Sequence, residues 1–348
     1  MTIVDEPRTA TPSTPDGAPD RPRSVRSRLP GSDRVFRGVA RAAGTAVLVI
    51  MLLVGLFLTL QAFPAVRQAG WGFLTRQDWD TEGNNFGVAG VLIGTVLIAL
   101  VAITIALPLA VGAALYISEY APRRLAPFLV NLVDLMAAVP SVVYGIWGFF
   151  LLQPHLLVVG NQGEGLPRWL TTYLGWIPIF AVDDYDPRDP EASASRLTSS
   201  TFIAGIVVAM MVTPIIASVM REVFAQAPAG EREGAYALGA TRWGMIRAVV
   251  LPFGRGGMIG ATMLGLGRAL GETIGVVLII SIGFVIQPHI LQNGGGSISA
   301  LIASRYQEST DMGIAALMGA GLVLFAMTLV VNLVAGVIIN RSRSGAQS

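Results

Sequence analysis

Two opposite charges four residues apart, Arg268 and Glu272 in GRALGET, interrupt one of the most apolar parts of the chain, with GGMIGATMLGL before them and IGVVLIISIGFVI after. In a membrane span each charge costs about 2.5–3.5 kcal/mol at the helix centre, and intramembrane charges are functional by default. If the helix starts near Gly257, Arg268 lies 11 residues in, about 16 Å at the helical rise and close to the middle of a core about 30 Å thick. Glu272, four residues on, then shares its face. Two chemistries fit. In one the pair neutralises itself and locks the helix, although buried pairs stabilise little. In the other the guanidinium, a planar fork that never deprotonates, binds an oxyanion through two parallel hydrogen bonds. The carboxylate then accepts a proton still carried by the anion and keeps binding weak enough for release.

The elements that must position such a pair follow from composition. The chain of 348 residues is 53% hydrophobic and 13% charged, with mean hydropathy +0.63, outside the range of soluble domains. Runs free of Asp, Glu, Lys and Arg cover 42–66, 83–118, 135–163, 197–220, 273–304 and 312–340. Each contains the roughly 20 residues a helix needs to cross a bilayer. The expected fold is all-α, a polytopic membrane protein with six transmembrane helices, at 43–64, 87–116, 137–158, 199–220, 258–285 and 313–339. There is no cysteine, His155 and His289 are the only histidines, and all 24 basic residues are arginine. No thiolate site, histidine-rich metal centre, Walker lysine or Schiff base can therefore be built. No nucleophile–base constellation is visible, so neither an enzyme, a cofactor, a bound metal nor a nucleic-acid partner is expected.

Residues 1–38, with Pro at 7, 12, 15, 19, 22 and 30, read as a disordered tail. The membrane domain is expected over 39–342 and a short tail over 343–348. With the N-terminus inside, the inner segments carry 17 arginines and the outer loops 6. The positive-inside rule thus puts both termini in the cytoplasm. Gly90/Gly94, Gly256/Gly260 and Gly267/Gly271 have helix-packing spacing, and Pro108, Pro140 and Pro214 are expected to kink or interrupt spans. The outer loop pairs the acidic stretch AVDDYDPRDPEAS with LPRWLTTYLGWIPIF, whose Trp169 and Trp176 read as an interfacial belt. Asp134 is expected in a short helix before Pro140, solvated or capping near Arg123 and Arg124.

The inner segment 221–256 is long and helical in pattern. Gly239 interrupts it, Thr241 can cap a second short helix, and Pro252 is expected to end that helix. Taken alone it reads as an amphipathic pair on the membrane surface. Its stretch EGAYALGATRWGMIRAVVLP resembles the EAA loop of ABC-importer permeases. Glu233, Ala235, Gly239, Leu251 and Pro252 match that pattern, while Gly234 stands for its middle alanine and Val249 for its isoleucine. The resemblance implies a type I ABC importer permease fold whose loop couples to a separate ATPase. GLGRALGET, AAVPSVVYGIWGFF and LPLAVGAALYISEYAP further resemble the permease of the phosphate-specific (Pst) importer, PstC type, over roughly 85–340.

That second resemblance implies inorganic phosphate as substrate, with Arg268 and Glu272 on its path. Phosphate keeps a P–OH for Glu272; sulfate does not. It also implies a bacterial plasma membrane location and three partners: a homologous PstA-type permease, PstB-type ATP-binding subunits and an extracytoplasmic phosphate-binding protein. An ABC permease for molybdate, sulfate or an amino acid, and an ion-coupled carrier or channel using the charged pair as a relay, are the competing readings.

Overall fold

The computed structural model describes residues 31–83, 85–158, 165–186 and 194–344. Two compact units divide at Leu52/Leu53. The first contains the start of helix α1 (Gly31–Ala69), whose described side chains up to Leu52 are all exposed. Residues 31–38, expected in the disordered tail, thus belong to this helix; residues 1–30 lie outside the described ones.

In the second unit α2 (Ala89–Leu115) runs on through a widened turn at Tyr116–Tyr120. Helices α3 (Ala126–Ala138) and α4 (Ser141–Trp147) follow, then α5 (Leu166–Leu174) and α6 (Thr201–Ala225). Next come α7 (Ala229–Ala237), α8 (Arg242–Met245) and α9 (Leu251–Leu270). The short α10 (Ile274–Val277), α11 (Ile298–Arg305) and the long α12 (Asp311–Ser344) complete the order. A two-residue antiparallel ladder pairs β1 (Trp79–Asp80) with β2 (Asn85–Phe86), Trp79 opposite Phe86. Five helices among the described residues are long and apolar enough to span a membrane, six if the bent pair of α3 and the helix from Ser141 is one span.

That bend, 88°, has a local cause. Proline drives the preceding residue out of the helical region, and Val139 is extended, with ψ 129°. The Tyr144 hydroxyl then donates across the break to the Met136 carbonyl at 2.9 Å. Pro108 and Pro214, by contrast, sit inside unbroken helices. Beside Pro214 the Thr213 hydroxyl donates to the Ala209 carbonyl at 2.6 Å, one residue before the Met210 carbonyl that proline's missing N–H deprives of its helical donor.

The core forms where α2 meets α6. Ala102, Ala106, Ala110 and Ala114, one face of α2 at i,i+4 spacing, are all 0% exposed. Small residues allow backbones to approach closely. Opposite them a Cβ on Gly205 would lie 2.4 Å from Val101. On the other side of α6, a Cβ on Gly265 of α9 would meet Ile216 at 2.4 Å and one on Gly257 would meet Val223 at 2.4 Å.

The fifth span differs from its expected course. Its helix begins at Arg242, not near 258, and ends at Leu270, not 285. Between α10 and α11 the apolar chain is irregular, and its polar backbone is satisfied partly within this stretch and partly by other segments. Gly283 N–H donates to Gly295 O at 3.2 Å, Phe202 N–H to Ile290 O at 2.9 Å and Ile290 N–H to Ile179 O at 3.1 Å. Gln77 Oε1 accepts from Ile286 N–H at 2.9 Å. Irregular backbone at membrane depth is tolerated only where protein buries it. Gly90 and Gly94 make that seat: a Cβ on either would fall 1.9 Å from Phe284 O or 2.0 Å from Gly296 O. Their spacing does mark a close approach, but to this irregular segment and not to a helix.

Candidate functional site

Helix α9 stops because Gly271, at its C-terminus, leaves helical geometry with ψ near 1°. The Glu272 carboxylate then turns forward, its Oε1 accepting the Gly275 N–H at 3.1 Å, and starts α10. Its backbone carbonyl accepts from the Ser299 hydroxyl at 2.7 Å, while Ser297 caps α11 by accepting Ala300 N–H at 3.1 Å. Glu272 is therefore held once through its side chain and once through its backbone, and the residue is only 7% exposed. Arg268, in the last turn of α9, is exposed. A cation suits that position, since the helix C-terminus carries partial negative charge.

The two charges do not form the expected i,i+4 pair. The helix ends between them, and no ion pair within 4.0 Å joins them among the described residues. They line one cleft of about 400 Å³ together with Ser141, Gly267, Gly271, Thr273 and Ile274. Gly267 and Gly271 thus open this space and pack on no neighbouring helix: a Cβ on Gly267 would meet nothing within 4 Å. Ser141, at the start of α4, brings the broken span to the same cleft. Neither Ser141 nor Thr273 was recognisable from local sequence as a partner of Arg268. Chemically the cleft offers a cationic fork, a buried acceptor and two hydroxyls, a set suited to a partly protonated oxyanion.

The other predicted residues gather on the segment 221–256. Glu233 is exposed on α7 and Ala235 half-buried. Gly239 has φ +80°, with Ala240 N–H donating to Ala235 O at 3.0 Å and Gly239 N–H to Tyr236 O at 2.9 Å. This is the Schellman motif, in which the left-handed residue ending a helix is usually glycine. Thr241 caps α8 by accepting Gly244 N–H at 3.1 Å, as expected. Leu238, 91% exposed, projects from the turn with Tyr236 and Trp243 also exposed.

Pro252 does not end a helix. Arg242–Leu270 is one helix of 29 residues, about 43 Å long at the helical rise. Proline lacks an N–H and crowds the carbonyl four residues back; the widened turn at Ile246–Val250, where Leu251 N–H reaches Ile246 O, makes the room. Leu251 and Pro252 therefore lie at the joint between α8 and α9, and one rod connects the 221–256 segment to the cleft.

Asp134 accepts from the Ser218 hydroxyl of α6 at 2.8 Å and pairs with neither Arg123 nor Arg124. Trp169 and Trp176 are exposed, with α5 between the broken span and α6. Residues 187–193 of the acidic loop lie outside the described residues.

Comparison with known proteins adds the following. Residues 106–344 match the family described as binding-protein-dependent transport system inner membrane component. Phosphate transport system permease protein PstC 2 of Mycobacterium tuberculosis is 39% identical over 305 residues, 86% of this chain and 89% of the relative. PstC of Mycobacterium leprae is 39% identical over 308 residues, 87% and 92% of the two chains, and PstC of Xylella fastidiosa 34% over 310 residues, 89% and 91%. A bacterial ABC transporter involved in import of the acidic polysaccharide alginate superposes with TM-score 0.56 at 17% identity, covering 89% of this chain and 96% of that one.

Proposed function

The chain belongs to the inner-membrane components of binding-protein-dependent transport systems, within them to the phosphate transport system permeases, and from that premise we propose that it carries inorganic phosphate into the cytoplasm. The reading assigns the passage of the anion to the Arg268–Glu272 cleft. It assigns the docking of a separate ATP-binding subunit to 221–256, where Glu233, Ala235, Gly239, Leu251 and Pro252 lie. Both termini are then cytoplasmic in a bacterial plasma membrane. A PstA-type permease completes the path, PstB-type subunits hydrolyse ATP, and an extracytoplasmic binding protein delivers the anion. The chain itself does no bond-breaking chemistry.

One observation carries the assignment: an exposed arginine at the end of an unbroken rod, facing a cleft and free of its neighbouring carboxylate. A guanidinium so placed has its fork available, and Glu272 has Oε2 free to accept the P–OH of phosphate. Closure of the ATP-binding subunits would push the rod from its other end, a rigid-body route to alternating access.

The test is uptake of radiolabelled phosphate and of sulfate by phosphate-starved cells lacking the chain, complemented with wild type or Arg268→Gln. Charge-assisted hydrogen bonds contribute about 1.5–3 kcal/mol, so phosphate uptake should fall roughly 10- to 150-fold while the complex still assembles. Loss of assembly would assign Arg268 a structural role. Phosphate uptake that never depends on the chain would remove phosphate as the substrate.

A further inference from the structure

Arg232 lies one residue before Glu233, outside the positions that match the EAA pattern, yet it is the most connected side chain of the segment. Its Nη1 donates to Glu119 Oε2 at 3.0 Å. Oε1 of the same carboxylate is as near, at 3.0 Å, but is not aligned for a hydrogen bond. Its Nε donates to the Ala227 carbonyl at 3.2 Å, and its Nη2 to the Phe224 carbonyl. One guanidinium thereby ties α7 to the end of α6 and to the end of α2. Glu119 is well hidden, its side chain 4% exposed against 21% for Arg232. Next to it Arg242, the first residue of α8, stacks over the Tyr120 ring at 5.2 Å.

Both contacts land on the widened turn Tyr116–Tyr120, where Ala121 N–H reaches Tyr116 O at 2.7 Å. Such turns recur at functional sites. Hiding an ion pair costs as much in desolvation as it returns, so stability alone is a poor reason to place one here. A planar fork on α7 that satisfies acceptors on the turn after α2, on α6 and on the link behind it, by contrast, fixes the relative geometry of three helices.

We propose that Arg232 and Glu119, supported by Arg242 on Tyr120, are the joint through which movement of the α7–α8 segment reaches α2 and α6 as well as the α9 rod. They act as positioning residues. Without them the segment reaches α9 through the continuous rod, α6 only through the three-residue link 226–228, and α2 through neither. The alanine face of α2 is locked against α6, so a push delivered at Glu119 moves these two spans as one body. This rests on the proposed docking of an ATP-binding subunit to 221–256.

The experiment uses the whole transporter, reconstituted with its ATP-binding and permease partners in liposomes, and reads phosphate moved per ATP hydrolysed. Coupling residues away from both ligands change coupling by about 2- to 30-fold. Glu119→Gln and Arg232→Gln should each lower the ratio within that range while the complex assembles and hydrolyses ATP. Arg232→Lys keeps a charge facing Glu119 but not the three-way fork, so its ratio should lie between wild type and Arg232→Gln. An unchanged ratio in Glu119→Gln and Arg232→Gln would overturn the joint. So would disassembly of Arg232→Lys together with both, which would mark a purely structural pair. ATP-independent uptake by the wild type would instead overturn the docking reading beneath it.

Discussion

Replacing Gly239 by alanine isolates what the turn between α7 and α8 demands. A Cβ there would meet nothing within 4 Å, yet the backbone holds φ +80°. The cost is therefore conformational and not a clash, about 1–2 kcal/mol for an L residue in the left-handed region. Opening of the two closing hydrogen bonds, Ala240 N–H to Ala235 O and Gly239 N–H to Tyr236 O, should become about 5- to 30-fold more frequent. Gly234→Ala supplies the opposite sign. It restores the alanine that the EAA pattern has at this place, inside α7, where a Cβ also meets nothing within 4 Å. Helix propensity alone then gains about 0.8–1.0 kcal/mol, roughly a 4- to 5-fold suppression of opening. Asparagine at 239, which tolerates left-handed geometry through local hydrogen bonding, should fall between wild type and alanine. Amide hydrogen exchange on the peptide spanning 234–241 of the purified protein reads all three. Unchanged exchange in Gly239→Ala would refute the reasoning, because it would mean that the turn is held by contacts the structure does not contain. Faster exchange in Gly234→Ala would do the same.

Five further outcomes are expected. Gly94→Ala would set a Cβ 2.0 Å from Gly296 O and unseat the irregular segment, at about 1–3 kcal/mol. Gly112→Ala, with nothing within 4 Å, should be neutral or stabilising, and thermal unfolding of the purified proteins compares the two. Thr241→Ala loses the cap on Gly244 N–H and should cost about 1 kcal/mol, seen as faster exchange at the start of α8 with little change in α7. Arg268→Lys keeps the charge but not the fork, so phosphate uptake should lie between wild type and Arg268→Gln; uptake equal to Arg268→Gln would show that planarity, not charge, is needed. Ser299→Ala strands the buried Glu272 carbonyl, at about 1–3 kcal/mol, and should weaken phosphate uptake without altering assembly of the complex.

How far the sequence predicted this molecule depends on what each signal measures. Local signals located the Thr241 cap, the interruption at Gly239 and the break at Pro140, each set by a few neighbouring residues, and failed at Pro108, Pro214 and Pro252, which their helices carry without ending. Hydropathy located the long apolar helices and misled on conformation in one run. The run 273–304 is apolar because protein surrounds it, and its backbone bonds to Gln77, Ile179 and Phe202, far away in sequence. Nothing local distinguishes such a run from a continued helix, although Pro288 and the glycines at 294–296 are poor helix formers. Glu119 was invisible for the same reason: its partner lies 113 residues on.

The error at 271 changes the chemistry most. On a continuous helix Arg268 and Glu272 share a face, and mutual neutralisation competes with anion binding. Because the helix ends at Leu270, Glu272 spends one carboxylate oxygen on Gly275 N–H and is gripped through its carbonyl by Ser299. An arginine whose neighbour is so occupied keeps its own donors for a guest. The break that defeated the helix prediction thus favours the oxyanion reading over the self-paired one: the irregular part of the span lies at the proposed site, where a departure from regular structure is most expected.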